Sequence, residues 1–247
     1  MFQHKIGSIV EKTEVIILPE MFSTGFSMNR DSLAETMDGD TISWMKTTAA
    51  KKGAIITGSI IARDETAAGP AFYNRLVWMQ PDGLSGFYDK RHLFAYGKEN
   101  NHYSAGKKRL VASVNGWKIN LQICYDLRFP VWIRQNRPDT VQTEPEFDLL
   151  VVVANWPSAR SFAWRILLQA RAIENQCFVV GVNRTGNDGR GLTYPGESMI
   201  IDPLGETIKI LGEEEEIFSH TLDREKLEET RFKFPFWRDA DTFLIQP

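Results

Sequence analysis

Lys118-Ile119-Asn120-Leu121-Gln122-Ile123-Cys124, followed by Tyr125-Asp126-Leu127-Arg128-Phe129-Pro130, is the stretch that decides how the rest of the chain is read. Its first half alternates. Ile119, Leu121 and Ile123 share one face of an extended segment, and Lys118, Asn120, Gln122 and Cys124 share the other. Asn115-Gly116 just ahead is a strong hairpin signal and pairs this strand, residues 117–124, with residues 110–114. Cys124 is then the last strand residue, off the apolar face, with a sharp turn and a helix to follow. A nucleophile at such a turn is pushed toward substrate, and the next backbone N–H can point at a developing oxyanion. Many cysteines are simply small buried hydrophobes. A reactive one also needs a base or a positive charge nearby. Cys177, heading Cys177-Phe178-Val179-Val180, fits the buried description better.

Working outward, strands outnumber helices. Residues 15–18 and 54–60 are short apolar runs, and 147–154 is continuous enough to be a strand buried on both faces. Residues 75–79 and 84–88 flank the turn Pro81-Asp82-Gly83, and 199–202 and 206–211 flank Pro203-Leu204-Gly205. Residues 177–182 form a further strand. Phe2, Ile6, Ile9 and Val10 suggest a short opening helix. Residues 41–52 suggest another, capped by Asp40 and stopped by Gly53. Residues 160–176 predict a long helix with Phe162, Ile166, Ala170 and Ile173 on one apolar stripe, and 223–231 a late one. Hairpins mixed with strand–helix–strand units imply α/β sheets covered by helices rather than a simple doubly wound sheet.

Composition narrows the classes of function. The 247 residues include 43% hydrophobic and 25% charged residues, an ordinary globular balance. A net charge of −3 supplies no basic excess for nucleic acid. Two cysteines are too few for a disulfide scaffold and suit a reducing, cytoplasmic setting. No apolar run approaches the roughly 18 residues of a membrane span. His4, His92, His102 and His220 have no metal-ligand spacing. No repeat, low-complexity tract or linker divides the chain, so a single domain over 1–247 is expected.

Two more strand ends matter. Leu18-Pro19-Glu20 closes the run at 15–18, and Asp89-Lys90-Arg91-His92 ends a hairpin strand. Each alone reads as a solvated terminus. With Cys124, they supply a base, a cation and a thiol.

Leu18-Pro19-Glu20, Asp89-Lys90-Arg91-His92-Leu93 and Ile123-Cys124-Tyr125-Asp126-Leu127-Arg128, in this order, resemble the nitrilase (carbon–nitrogen hydrolase) superfamily. The likeness continues through Arg171-Ala172-Ile173-Glu174-Asn175-Gln176, Gly196-Glu197-Ser198 and Asp202-Pro203-Leu204-Gly205-Glu206, nearly the whole chain. Met21-Phe22-Ser23-Thr24-Gly25-Phe26, Ala154-Asn155-Trp156-Pro157 and Trp237-Arg238 look most like its bacterial ω-amidase branch. The resemblance implies a four-layer α-β-β-α sandwich, usually dimeric, that needs no cofactor or metal. It implies Cys124 as nucleophile, Glu20 as general base, Lys90 as stabiliser of the tetrahedral intermediate and Glu99 as a second, bracing glutamate. A solvated polar loop would also account for Glu99. The implied substrates are small 2-oxo dicarboxylic monoamides, 2-oxoglutaramate and 2-oxosuccinamate. Tyr125, Arg128 and Trp156 are the expected substrate contacts, with Arg160 and Phe129 behind them. For Arg128, a structural salt bridge with Asp126 or another acid is the alternative.

The family pattern also places a strand ahead of the first helix, and only about nineteen residues precede Glu20. Either the true beginning lies ahead of Met1 or the sheet is short by one strand; the first is the expectation, since a missing interior strand would leave ladder groups unpaired. The triad leaves the acyl group open. A carbamoylase, an aliphatic or glutathione-derivative amidase, a true nitrilase and a catalytically silent scaffold are the rivals.

Overall fold

Apolar residues on both faces of one long hairpin organise the computed structural model, which describes residues 2–135 and 144–245. The chain passes helix α1 (Phe2–Gly7), strand β1 (Val15–Ile17), the helical turn α2 (Arg30–Leu33) and helix α3 (Asp40–Lys52). It then runs along β2 (Ile55–Thr66), back along β3 (Gly69–Met79) and into β4 (Ser85–Asp89). These form a sheet of order β1-β2-β3-β4, β1 parallel to β2 and the others antiparallel. Side chains alternate across it. Ile56, Ile60, Val77 and Met79 pack against Ile42, Met45 and Ala49 of α3, while Ile55, Leu76, Trp78 and Tyr88 face a second sheet.

The second sheet is built from β5 (Val111–Val114), β6 (Trp117–Ile123), β7 (Leu149–Ala154), β8 (Phe178–Asn183) and two later strands. A small hairpin of β9 (Thr185–Asn187) and β10 (Thr193–Pro195) precedes those two, β11 (Met199–Ile201) and β12 (Thr207–Ile210). Its order is β12-β11-β8-β7-β6-β5, with β6, β7 and β8 mutually parallel. Between β6 and β7 comes the short helix α4 (Pro130–Ile133). Between β7 and β8 runs α5 (Ser161–Asn175), which lays Trp164, Leu168 and Ala172 on the sheet's outer face. Gly181 allows the close approach, since a Cβ there would lie 2.5 Å from a Leu168 methyl. Every residue of β7 is buried because both its faces are covered, each aliphatic side chain contributing about 1.5–3 kcal/mol. Helix α6 (Arg224–Lys233) buries Leu227 in the same core. The layers are α-β-β-α, as the resemblance implies.

Several local expectations need correcting. The strand expected at 54–60 continues to Thr66, because the polar run Arg63-Asp64-Glu65 extends the hairpin beyond the buried part. Asp40 does not cap α3. It lies in the first helical turn, Gly39 holds the cap position, and the Glu35 carboxylate accepts the Thr41 N–H at 2.7 Å. Helix α1 stops at Gly7 and leaves Val10 exposed. Cys124 does not end the strand. β6 finishes at Ile123, and Cys124 opens a 3₁₀ turn, Cys124–Arg128, with φ of 45°. Asn120 and Gln122 are fully buried, so their face of β6 is an interior one.

The largest correction concerns α5. Its Phe162, Ile166 and Ile173, expected on the core side, are 72%, 48% and 55% exposed. Trp164, Leu168, Arg171, Ala172 and Asn175 are buried instead. The helix carries two apolar stripes, and periodicity cannot say which faces the sheet.

Candidate active site

Glu20, three residues past β1, and the residues directly after β4 and β6 meet at one end of the space between the sheets. Pro19 leads out of β1, and Glu20 turns inward because the backbone around it is tied down. Met21, at φ 45°, donates its N–H to Ser59 Oγ at 2.8 Å, and Phe22 N–H bonds Ser59 O at 3.1 Å. Lys90 extends β4 by one backbone bond, to Asn74 O at 2.9 Å. Gly106 lies against the same strand. Its N–H reaches Lys90 O at 2.9 Å, and a Cβ there would sit 2.0 Å from Asp89 O. Only glycine permits that approach.

Glu20, Lys90 and Glu99 are all buried and joined. Lys90 Nζ donates to Glu20 Oε1 at 2.9 Å and to Glu99 Oε1 and Oε2 at 3.1 and 2.9 Å. Glu99 is therefore not on a solvated loop: its carboxylate also accepts the Phe94 N–H at 2.6 Å. Asn74 bridges the two glutamates, donating to Glu20 Oε1 at 2.8 Å and Glu99 Oε1 at 3.1 Å, while Ser59 donates to Asn74 Oδ1 at 2.8 Å. Asn155 holds the other Glu20 oxygen through its N–H at 2.8 Å and bonds Glu20 O through its side chain at 2.7 Å.

Burying one cation with two anions is tolerable only with such complete bonding, and it fixes the protonation states. Burial pushes the Glu20 carboxyl up, but Lys90, the Asn155 N–H and the Asn74 amide outweigh it and hold Glu20 below its ordinary value. Burial opposes the Lys90 charge, yet Glu20 and Glu99, with Cys124, raise it above the ordinary lysine range. Cys124 is close enough to feel both partners. Burial and then Glu20 raise its thiol, and Lys90 offsets this only in part. The resting pair is a protonated thiol beside a carboxylate. Such an arrangement can move a proton from sulfur to Glu20 as sulfur attacks, with a fixed ammonium facing the new oxyanion.

The expected substrate contacts form one connected group running from the Cys124 turn. Tyr125 meets Phe94 and Phe129 edge-on, each with ring centroids 5.1 Å apart. Arg128 is half-buried, its guanidinium 4.9 Å over the Trp156 ring. It makes no ion pair among the described residues. Asp126, the alternative partner, is taken by Tyr88, His92 and Ile123. Trp156 is itself buried, donates its indole N–H to Arg160 O at 2.8 Å and packs on Trp164, so it backs Arg128. The Arg160 guanidinium lies 5.4 Å over Phe94. Sequence reasoning missed the supporting roles of Ser59, Asn74 and Asn155. The adjacent polar pair Asn74-Arg75 inside a run otherwise rich in aromatic and apolar residues was the available signal.

Residues 5–232 match the carbon-nitrogen hydrolase family model, and the chain belongs to that family. It is a hydrolase of carbon–nitrogen bonds in an amidase branch of the nitrilase superfamily. The chain is 42% identical to omega-amidase YafV of Escherichia coli (strain K12), over 94% of this chain and 86% of that protein. It is 36% identical to 2-oxoglutaramate amidase of Bacillus subtilis (strain 168), over 92% of this chain and 84% of that one. Among solved structures, XC1258 from Xanthomonas campestris, a CN-hydrolase superfamily protein with an arsenic adduct in its active site, superposes with a TM-score of 0.93. That pair shares 45% identity over 99% of this chain and 91% of the other.

Proposed function

We propose that this enzyme hydrolyses the ω-amide of 2-oxo dicarboxylic monoamides, 2-oxoglutaramate and 2-oxosuccinamate, through a thioester on Cys124. The observation that carries the reading is the buried Glu20–Lys90–Glu99 cluster set against a protonated Cys124. Sulfur attacks the amide carbon while Glu20 takes the thiol proton. With Glu20 neutralised, Lys90 is opposed by Glu99 alone, and its ammonium, with the Tyr125 N–H, is available to the tetrahedral oxyanion. Glu20 then protonates the departing nitrogen, ammonia leaves, and a thioester remains. Water, deprotonated by Glu20, attacks that thioester, releasing the 2-oxo acid and restoring the thiol. Glu99 fixes Lys90. No step calls on a cofactor or metal.

Arg128 supports the carboxylate-bearing substrate class. A guanidinium with no acidic partner among the described residues, held on the Trp156 ring at the end of the nucleophile turn, offers a forked donor to a carboxylate. Arg128→Ala should raise KM for 2-oxosuccinamate roughly tenfold to a hundredfold, the equivalent of about 1.5–3 kcal/mol for a charge-assisted bond. KM for an uncharged amide of similar length should hardly move. Equal losses on both would mean that Arg128 only shapes the turn. Ammonia release from 2-oxoglutaramate should likewise exceed that from N-carbamoyl amino acids, and preferred turnover of the latter would favour the carbamoylase reading.

We place the reaction in a single domain that pairs as a homodimer in a reducing, cytoplasmic setting. No helix among the described residues is long and apolar enough to cross a membrane. The exposed stripe Phe162, Ile166 and Ile173 on α5, continued by the exposed Leu204, supports the dimer. Size-exclusion chromatography with light scattering should return a dimer, and Phe162→Glu with Ile166→Glu a monomer. A monomeric wild type would remove this part of the proposal.

A further inference from the structure

Asp126 lies two residues past Cys124 and is fully buried, yet no step above uses it. Its two oxygens gather four hydrogen-bond partners. Oδ2 accepts from Ile123 N–H at 3.1 Å and from the Tyr88 hydroxyl at 2.8 Å. Oδ1 accepts from His92 N–H and from the His92 Nδ1 position, each at 2.9 Å. The Tyr88 oxygen already accepts from Arg91 N–H at 3.1 Å and Trp132 Nε1–H at 3.0 Å, and of the two acceptors within reach of its own proton Asp126 at 2.8 Å is nearer than Gln122 Oε1 at 3.3 Å. Ile123 N–H, His92 N–H and the Tyr88 hydroxyl all donate to Asp126, and a His92 tautomer with its proton on Nδ1 completes the set.

These donors come from just two places. Ile123 immediately precedes the nucleophile, and Tyr88 and His92 each stand two residues from Lys90. Cys124 sits at φ 45°, a left-handed conformation that is strained for a non-glycine residue and persists only where neighbours enforce it. The His92 ring also stacks on Phe129, five residues beyond Cys124, at 3.8 Å and 5° between planes. The nucleophile turn and the Lys90 strand are thus fastened to one carboxylate.

We propose that Asp126 is the positioning residue of this active site, holding the Cys124 turn in register with Lys90. It touches no substrate and moves no proton. The proposal rests on Cys124 being the nucleophile, and its consequence is a loss in the chemical step rather than in binding. Asp126→Asn is close in shape but turns an N–H₂ toward donors that need an acceptor. Its kcat should fall about a hundredfold, the scale on which a misplacement of 1 Å is felt, with KM changed less than about threefold. Alkylation of Cys124 by iodoacetamide should slow in the same variant, a readout independent of turnover. His92→Phe keeps a ring to stack on Phe129 and removes only one donor. It should fold whether or not Asp126→Asn does, and lower kcat about tenfold at nearly constant KM. Normal kcat and normal alkylation in folded Asp126→Asn would overturn the proposal while leaving Cys124 as nucleophile intact, as would normal kcat in His92→Phe should Asp126→Asn fail to fold. A change confined to KM in either variant would overturn it too.

Discussion

Cys124→Ala, and equally Cys124→Ser, should abolish amide turnover while the protein keeps its fold. In the proposed reaction Cys124 supplies the covalent route, and nothing else at the site would replace it. The neighbouring groups are set up for sulfur. Glu20 is a carboxylate held below its ordinary range and suited to accept a thiol proton, but a serine hydroxyl is a far weaker acid. The fold should survive because the side chain is small, only half-buried and outside β6. Ammonia release assayed beside a thermal melt separates the two effects. More than a small residual fraction of activity in Cys124→Ser would remove the nucleophile assignment. Cys177→Ser is the internal control: this thiol is buried under α6, held up at about 12 mainly by burial, and its loss should leave turnover unchanged.

Glu20→Gln and Lys90→Met should each lower kcat by roughly 10²–10⁴-fold, the range for a positioned proton carrier. The two differ in stability. Glu20→Gln leaves Lys90 paired with Glu99, whereas Lys90→Met leaves two buried carboxylates facing each other, a loss of about 3–5 kcal/mol in comparable cases. Melting temperatures must therefore accompany the rates. Lys90→Arg should not rescue, because the planar guanidinium cannot occupy the compact place between Glu20 Oε1 and both Glu99 oxygens. Glu99→Gln should act more mildly, through the placement of Lys90. The pH profile follows from the same cluster. Glu20 titrates lower folded than unfolded, so its carboxylate form, and the stability that form lends, is present above the unfolded value. It is lost only as pH falls through the folded one. The acid limb of kcat/KM should thus lie below about pH 4.3, the ordinary glutamate value. Near-normal turnover in Glu20→Gln or Lys90→Met would show the roles to be wrong.

The parts of the site legible in the sequence were those that depend on strand ends. Glu20, Lys90 and Cys124 each follow a recognisable apolar strand, and sheets bring such ends together. Glu99 was harder, since Lys98-Glu99-Asn100-Asn101-His102 reads as a solvated loop until tertiary contacts bury the carboxylate on Lys90 and the Phe94 N–H. Asn74 and Ser59 were missed because the strand read at 75–79 begins one residue past Asn74, so its contact with the strand that carries Ser59 was not drawn. Helix α5 shows the limit most clearly. Phe162, Ile166 and Ile173 have the spacing of a buried stripe and lie outside, while the buried face includes Arg171 and Asn175, whose polar groups bond Leu127 O and Gln135. Periodicity locates a helix, but partners decide which side is interior.

The central claim, an acyl-enzyme on Cys124, is tested most directly by rapidly quenching the wild-type enzyme during turnover of 2-oxoglutaramate and weighing its peptides. The account predicts a thioester-labelled peptide containing Cys124, formed as ammonia is released, cleaved by hydroxylamine and absent from Cys124→Ala. Steady turnover with an adduct on another residue, or with no adduct when the reaction is quenched at acid pH on the millisecond scale, would contradict it.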